Sequence, residues 1–299
     1  MAVAPKVGEA RPLAIPQQRA PRPPRRIGLP GAWGPRLGLI IAALLFMLPF
    51  YWMANSALKN IQELSAFPPT LYPHVPAWDN FVRAVTYIPF GTFLANSVIL
   101  TTGVTIGAAM SNPLIAYGFS RIQWPGRDFV FGIVLATIFL PFPVLIVALF
   151  DIFAKLHWID TFLPIIVPAF FGNPFFIFLM RQFFLGLPNE ISEQARIDGA
   201  NEFQVFLFIM LPLAKPAIAV VVIFAAVQAW GEFLTPLLFL QDESHYPLSI
   251  GLQFYRQEHD VAYNLLMAAS SLIVLPIIAL FLAFQKFFIQ GVTVGAIKG

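Results

Sequence analysis

Side chains that can ionise, ligate a metal or attack a substrate are scarce in this chain of 299 residues: 15 Asp and Glu, 4 His and no Cys. Without a thiol, disulfides, thiolate metal sites and cysteine nucleophiles are excluded. His74, His157, His245 and His259 stand apart, without the spacing of metal ligands. No glycine-rich stretch runs into a Lys followed by Ser or Thr, the pattern that cradles nucleotide phosphates; Gly295 to Lys298 lacks the spacing and the hydroxyl. The sequence therefore offers no catalytic, metal or cofactor residues. What remains is polar residues set in apolar surroundings. Glu232 falls in mid-span, where an ionised group is costly unless paired or hydrated, so it is expected to face the bundle interior or a water-filled path. Gln228, Glu232 and Thr235, at i, i+4 and i+7, share one helical face. With Asn173 and Phe176 opposite, that face suits a polyhydroxylated solute such as a sugar. The same pattern serves equally to bond neighbouring helices where they cross.

Apolar helices must hold these residues. The chain is 58% hydrophobic and 11% charged, with mean hydropathy +0.75, against roughly 25% charged in a soluble domain. It reads as an all-α, polytopic membrane protein. A bilayer core about 30 Å thick takes about 20 apolar residues per helix. Six stretches qualify: 37–58, 93–119, 129–153, 161–184, 216–240 and 265–289. Pro141, Pro143, Asn173 with Pro174, and Pro276 mark expected kinks. Residues 1–36, with Arg19, Arg22, Arg25 and Arg26 among prolines, read as a flexible basic cytoplasmic tail rather than a nucleic-acid arm. Residues 37–290 form the transmembrane domain and 291–299 a second cytoplasmic tail. Of the 18 Lys and Arg, only Lys59, Arg83, Lys155 and Arg256 fall outside if the N-terminus is cytoplasmic, so both termini are expected inside. The outside loops carry Tyr72, Trp78, Tyr246 and Tyr255, as interfacial anchors or docking contacts.

The long polar interruption, 187–216, reads LPNEISEQARIDGANEFQVFLFIMLPLAKP. Its grammar predicts two short helices joined at a glycine. Asn189 is placed to cap the first, with Glu190 and Glu193 in its opening turns, and Gly199 to end it. Asn201 and Glu202 start the second, which runs to Leu211 before Pro212 and Pro216 stop or kink it.

Glu193, Gln194 and Ala195, then Gly199, then Ile209, Leu211 and Pro212 resemble the EAA loop of binding-protein-dependent ABC importer permeases, with Gln194 replacing the second alanine. RIQWPGR from Arg121, FFIFLMRQF from Phe175, WGEFLTPLL from Trp230 and GVTVGAIKG from Gly291 resemble further segments of the maltose-type second permease of carbohydrate importers; Gly231 stands where Asn is commoner. The resemblance implies a bacterial plasma membrane subunit that translocates a carbohydrate by alternating access. It implies a second permease as heterodimeric partner, an extracytoplasmic sugar-binding protein, and separate ATPase subunits that bind ATP and Mg. The loop would be the coupling helix: Glu193 and Asp198 for charged contacts with the ATPase, Gly199 for the turn, Ala195 and Ala200 for close approach. Pairing of Glu193 or Asp198 with Arg196 inside the loop is the simpler alternative. Rival readings are an ion-coupled secondary transporter with Glu232 relaying protons, an importer permease for another solute, and a non-transporting membrane scaffold.

Overall fold

The computed structural model describes residues 33–256 and 261–296, with side chains through residue 285. Residues 1–32 of the basic tail, His259, and 297–299 of the C-terminal segment lie outside the described residues. Among the described residues there is no strand, only an isolated bridge between Arg256 and Val261.

Helix α1 (Trp33–Ala57) begins four residues before the expected span and belongs, through Leu48, to a unit of its own. In that unit Leu39, Leu44 and Phe46 are exposed, and the Arg36 guanidinium lies 5.8 Å from the centre of the Trp33 ring. The second unit, from Pro49 onward, holds α2 (Asp79–Tyr87), α3 (Phe90–Ser120), α4 (Arg127–Ala136), α5 (Phe142–Lys155), α6 (Pro174–Leu185), α7 (Asn189–Ile197), α8 (Lys215–Gly231), α9 (Leu234–Phe239) and α10 (Tyr263–Ala296). Four helical segments are long and apolar enough to cross a membrane: α1, α3, Leu163–Leu185 and Tyr263–Gln285. Two bent pairs pass jointly, Arg127–Phe139 with α5 (101°) and Glu202–Leu213 with α8 (77°). By length and composition the described residues therefore hold four candidate spans, or up to six if each pair counts as one.

The breaks have local causes. Before Pro141 the backbone of Leu140 is extended, as the proline ring requires of its predecessor, and α5 restarts at a new angle. Gly172 sits at φ +94° and Asn173 caps α6, which splits the fourth expected span into a 3-10 turn (Val167–Phe171) and a helix. Glu232 is not in mid-helix. Pro236 can give no N–H to the Glu232 carbonyl, and its ring would collide with it in a continuous helix. That carbonyl turns away and accepts from Ser249 Oγ at 2.7 Å, so α8 stops at Gly231 and α9 begins at Leu234.

Two apolar cores sit at opposite ends of α3. Tyr117, Met180, Phe184, Val205, Phe206 and Met210 close one end. Phe93, Leu248, Tyr255, Leu265 and Ala268 close the other. Tyr255, expected at an interface, is fully buried and its hydroxyl donates to the Ala84 carbonyl at 2.7 Å. Asn96 Nδ2 donates to the carbonyls of Ser244 and Tyr246 near the start of α3, while Tyr117 near its end touches the 187–216 loop. At 1.5 Å per residue these contacts lie about 32 Å apart, the thickness of a hydrocarbon core.

Candidate functional site

The 187–216 loop folds as a knuckle. Asn201 accepts from the Gln204 N–H and the Gln204 side chain accepts from the Asn201 N–H, both at 2.9 Å, forming a capping box. Gly199, at φ +89°, ends α7: the Ala200 N–H reaches the Ala195 carbonyl (2.9 Å) and the Gly199 N–H reaches that of Arg196 (3.1 Å), the paired closure that needs a left-handed residue. Three expectations change. Pro188, not Asn189, precedes α7, with no side-chain cap. The second helix runs two residues past Leu211, with Pro212 inside it after a wide turn over Val205–Met210 that accommodates its missing donor, and the expected kink follows at Ala214, between Pro212 and Pro216, as a bend of 77°. Arg196 pairs with Glu202 (2.6 Å) rather than with Glu193 or Asp198, which have no ion-pair partner among the described residues.

Of the five expected coupling residues, Glu193, Asp198 and Gly199 are exposed, Ala195 is buried in the core that Tyr117, Phe184 and Met210 share, and Ala200 is half-buried beside it. Two further residues stand out on the knuckle's surface, Ile197, 84% exposed beside the glycine, and Phe203, 64% exposed. Apolar residues breaking the polar face of a short helix were the available signal.

Side chains distant in sequence fix the knuckle to the bundle. Arg121, buried at the end of α3, donates through one nitrogen to Asn189 Oδ1 and through the other to the carbonyls of Phe184 and Leu187, the last at 2.7 Å. This is why Asn189 is not a cap. Tyr117 Oη donates to Glu202 Oε2 at 2.6 Å, and Glu202 also accepts from Arg196. The Arg196 guanidinium is held above its ordinary range, chiefly by that hydrogen bond. Single charged residues in a loop carry no sequence signal for such long-range contacts.

The five residues expected along a substrate path, Asn173, Phe176, Gln228, Glu232 and Thr235, line one cavity of about 310 Å³, together with residues such as Val104, Ala108, Ala225 and Ala229. The helix break, not a continuous helical face, brings the last three together. Glu232 Oε1 accepts from the N–H (3.0 Å) and hydroxyl (3.1 Å) of Thr235. Asn173 Oδ1 accepts from the N–H groups of Phe175 (3.0 Å) and Phe176 (3.3 Å), and its own N–H donates to Asn112 Oδ1 at 2.7 Å. The Gln228 amide has no hydrogen-bond partner among the described residues. The wall thus presents amide groups and a carboxylate beside the Phe176 ring, with room for one small polar solute.

Beyond the far end of α3, Asp160 ties two loops together. Its Oδ1 accepts from the N–H groups of Gln241 and Asp242 (both 2.9 Å) and contacts His245 Nδ1 at 3.1 Å, while its own N–H donates to the Phe239 carbonyl at 2.7 Å. The Asp242 and Gln241 N–H groups, then His245, hold its carboxyl below the ordinary range. A carboxylate with a depressed pKa stabilises the fold above its unfolded pKa and loses that contribution as pH falls through the folded value. Asp160→Asn tolerates the local φ of +62° and keeps an acceptor oxygen. The melting-temperature gap between wild type and Asp160→Asn is therefore expected to be largest above about pH 5 and to close below about pH 4. A gap that does not depend on pH sinks this assignment.

Residues 103–294 match the family model of the binding-protein-dependent transport system inner membrane component. The arabinooligosaccharides transport system permease protein AraQ of Bacillus subtilis (strain 168) is 34% identical over 267 residues, covering 88% of this chain and 94% of that protein. The trehalose/maltose transport system permease protein MalG of Thermococcus litoralis is 29% identical, covering 88% and 95%. A solved bacterial ABC transporter involved in import of the acidic polysaccharide alginate shares the fold, with TM-score 0.74 at 23% identity over 86% of this chain and 96% of that one. With most of its length matched, the chain belongs to the binding-protein-dependent transport system inner membrane components, the permease subunits of ABC importers, in which ATP is hydrolysed by a separate subunit.

Proposed function

We propose that this permease forms half of a heterodimeric pathway importing a carbohydrate across a bacterial plasma membrane. In this reading the bent pairs each cross once, giving six spans with both termini cytoplasmic. The knuckle lies on the cytoplasmic side with Arg121, Arg127, Arg181, Arg196 and Lys215, as the excess of basic residues there favours. ATPase subunits grip α7 through Glu193, Asp198 and the exposed Ile197, and their closure moves the knuckle as a rigid body. An extracytoplasmic binding protein delivers the sugar to the opposite face, and alternating access passes it along the pathway. The observation that carries the reading is that Asn173, Phe176, Gln228, Glu232 and Thr235 meet in one cavity, on the same bundle whose other feature is a capped knuckle with no engine of its own. Sugar-named relatives covering most of the chain support the substrate class.

The test is uptake of labelled oligosaccharides by proteoliposomes holding the chain with its second permease, ATPases and binding protein. Uptake is expected to require ATP hydrolysis and to survive a protonophore. Uptake that persists with a hydrolysis-dead ATPase and collapses with the proton gradient would establish the ion-coupled reading instead.

A further inference from the structure

The charge of the cavity wall says more than its shape. Glu232 is the sole ionisable residue in the lining, and no Lys, Arg or His stands there to receive an anion. One of its carboxylate oxygens is engaged by Thr235, and the other has no hydrogen-bond partner among the described residues. The C-terminal end of α8, at Gly231, adds partial negative charge beside it. The positive counterpart, the N-terminus of α6, is already partly satisfied, since Asn173 Oδ1 takes the N–H groups of Phe175 and Phe176. Sugar hydroxyls suit this wall, because they donate to the carboxylate and accept from the Gln228 and Asn173 amides.

We propose that the cavity admits only solutes without an anionic group, and that Glu232 is the residue that enforces this. The inference rests on the carbohydrate reading above and narrows it to uncharged sugars. A carboxylate, sulfonate or phosphate about 5 Å from Glu232, at an effective dielectric of about 20, is disfavoured on the order of a hundredfold. The shared fold does not decide this charge preference, since a structurally similar transporter is involved in importing an acidic polysaccharide. The residues of the wall decide it.

The chain has no cysteine, so Ala229→Cys places a single thiol in the cavity wall. The experiment reads protection of that thiol from a maleimide in the assembled transporter, with thiol-free partner subunits. The probes are digalacturonate and its carboxyl-reduced, neutral counterpart. The neutral member is expected to protect at roughly tenfold lower concentration or better, and Glu232→Gln to shrink the gap to about twofold. Glutamine keeps an oxygen for Thr235, so the helix break survives, and whatever the second permease contributes is common to both forms. Equal protection by the two probes, or a gap unmoved by Glu232→Gln, overturns the proposal. Protection by neither probe also overturns it, whereas ATP-dependent oligosaccharide uptake by the same preparation decides separately whether the carbohydrate reading stands.

Discussion

Gly199→Leu is expected to abolish ATP-dependent uptake while the protein still inserts and purifies as a folded subunit. The glycine holds φ at +89°, and a Cβ built there meets nothing within 4 Å. The penalty is thus backbone strain, about 1–2 kcal/mol for a side chain in the left-handed region, not a clash with the core. The cheapest escape is to release the Ala200 and Gly199 hydrogen bonds that close α7, which frees α7 to tilt against the 202–213 helix. Insertion is untouched, because Gly199 itself packs against neither core even though its neighbours Ala195 and Ala200 do, but a partner's push is then absorbed by a loosened joint. Asparagine tolerates the same φ, so Gly199→Asn should retain much more uptake than Gly199→Leu. The check is uptake per mole of folded subunit for both variants. Wild-type rates in Gly199→Leu would remove the rigid joint from the mechanism.

Arg121→Met should be nearly as damaging and should also lower stability. The guanidinium spans Asn189, Phe184 and Leu187 from a site only 8% exposed. Methionine fills the volume but leaves two carbonyls without their charged donor, at about 1.5–3 kcal/mol for each hydrogen bond to a charged group. A melting temperature lower by several degrees and uptake near background are expected. Arg121→Lys should not restore uptake, because an ammonium cannot reproduce the two-pronged geometry that reaches both ends of the gap. Full uptake in Arg121→Lys would show that charge alone suffices and that the fork is incidental. The two variants separate two properties of the knuckle: Gly199 makes it stiff and Arg121 makes it belong to the bundle.

Much of this was legible along the chain. The apolar runs, the glycine joint and the Asn201 capping box depend on residues within a few positions of one another, and local chemistry fixed them before any packing. Proline and asparagine also announced breaks at Pro141 and at Asn173 with Pro174. The same local reasoning misplaced Glu232 in a continuous helix, since the effect of Pro236 on a carbonyl four residues earlier was outweighed there by the hydrophobic run around it. It misjudged Asn189 and Tyr255 for a different reason: their partners, Arg121 and Ala84, lie far away in the sequence.

By itself the sequence determined that this chain lives in a membrane as helices and carries a capped, glycine-jointed loop of the permease type, because hydropathy, period and turn chemistry are properties of neighbouring residues. Only the tertiary structure decided that five scattered residues, four of them polar, share one cavity wall with Glu232 as its one ionisable side chain, and that Arg121 and Tyr117 fasten the knuckle to α3. Those outcomes depend on where helices bend and which ends meet, and a bend of 77° or 101° redirects every side chain beyond it while leaving the local pattern of residues unchanged.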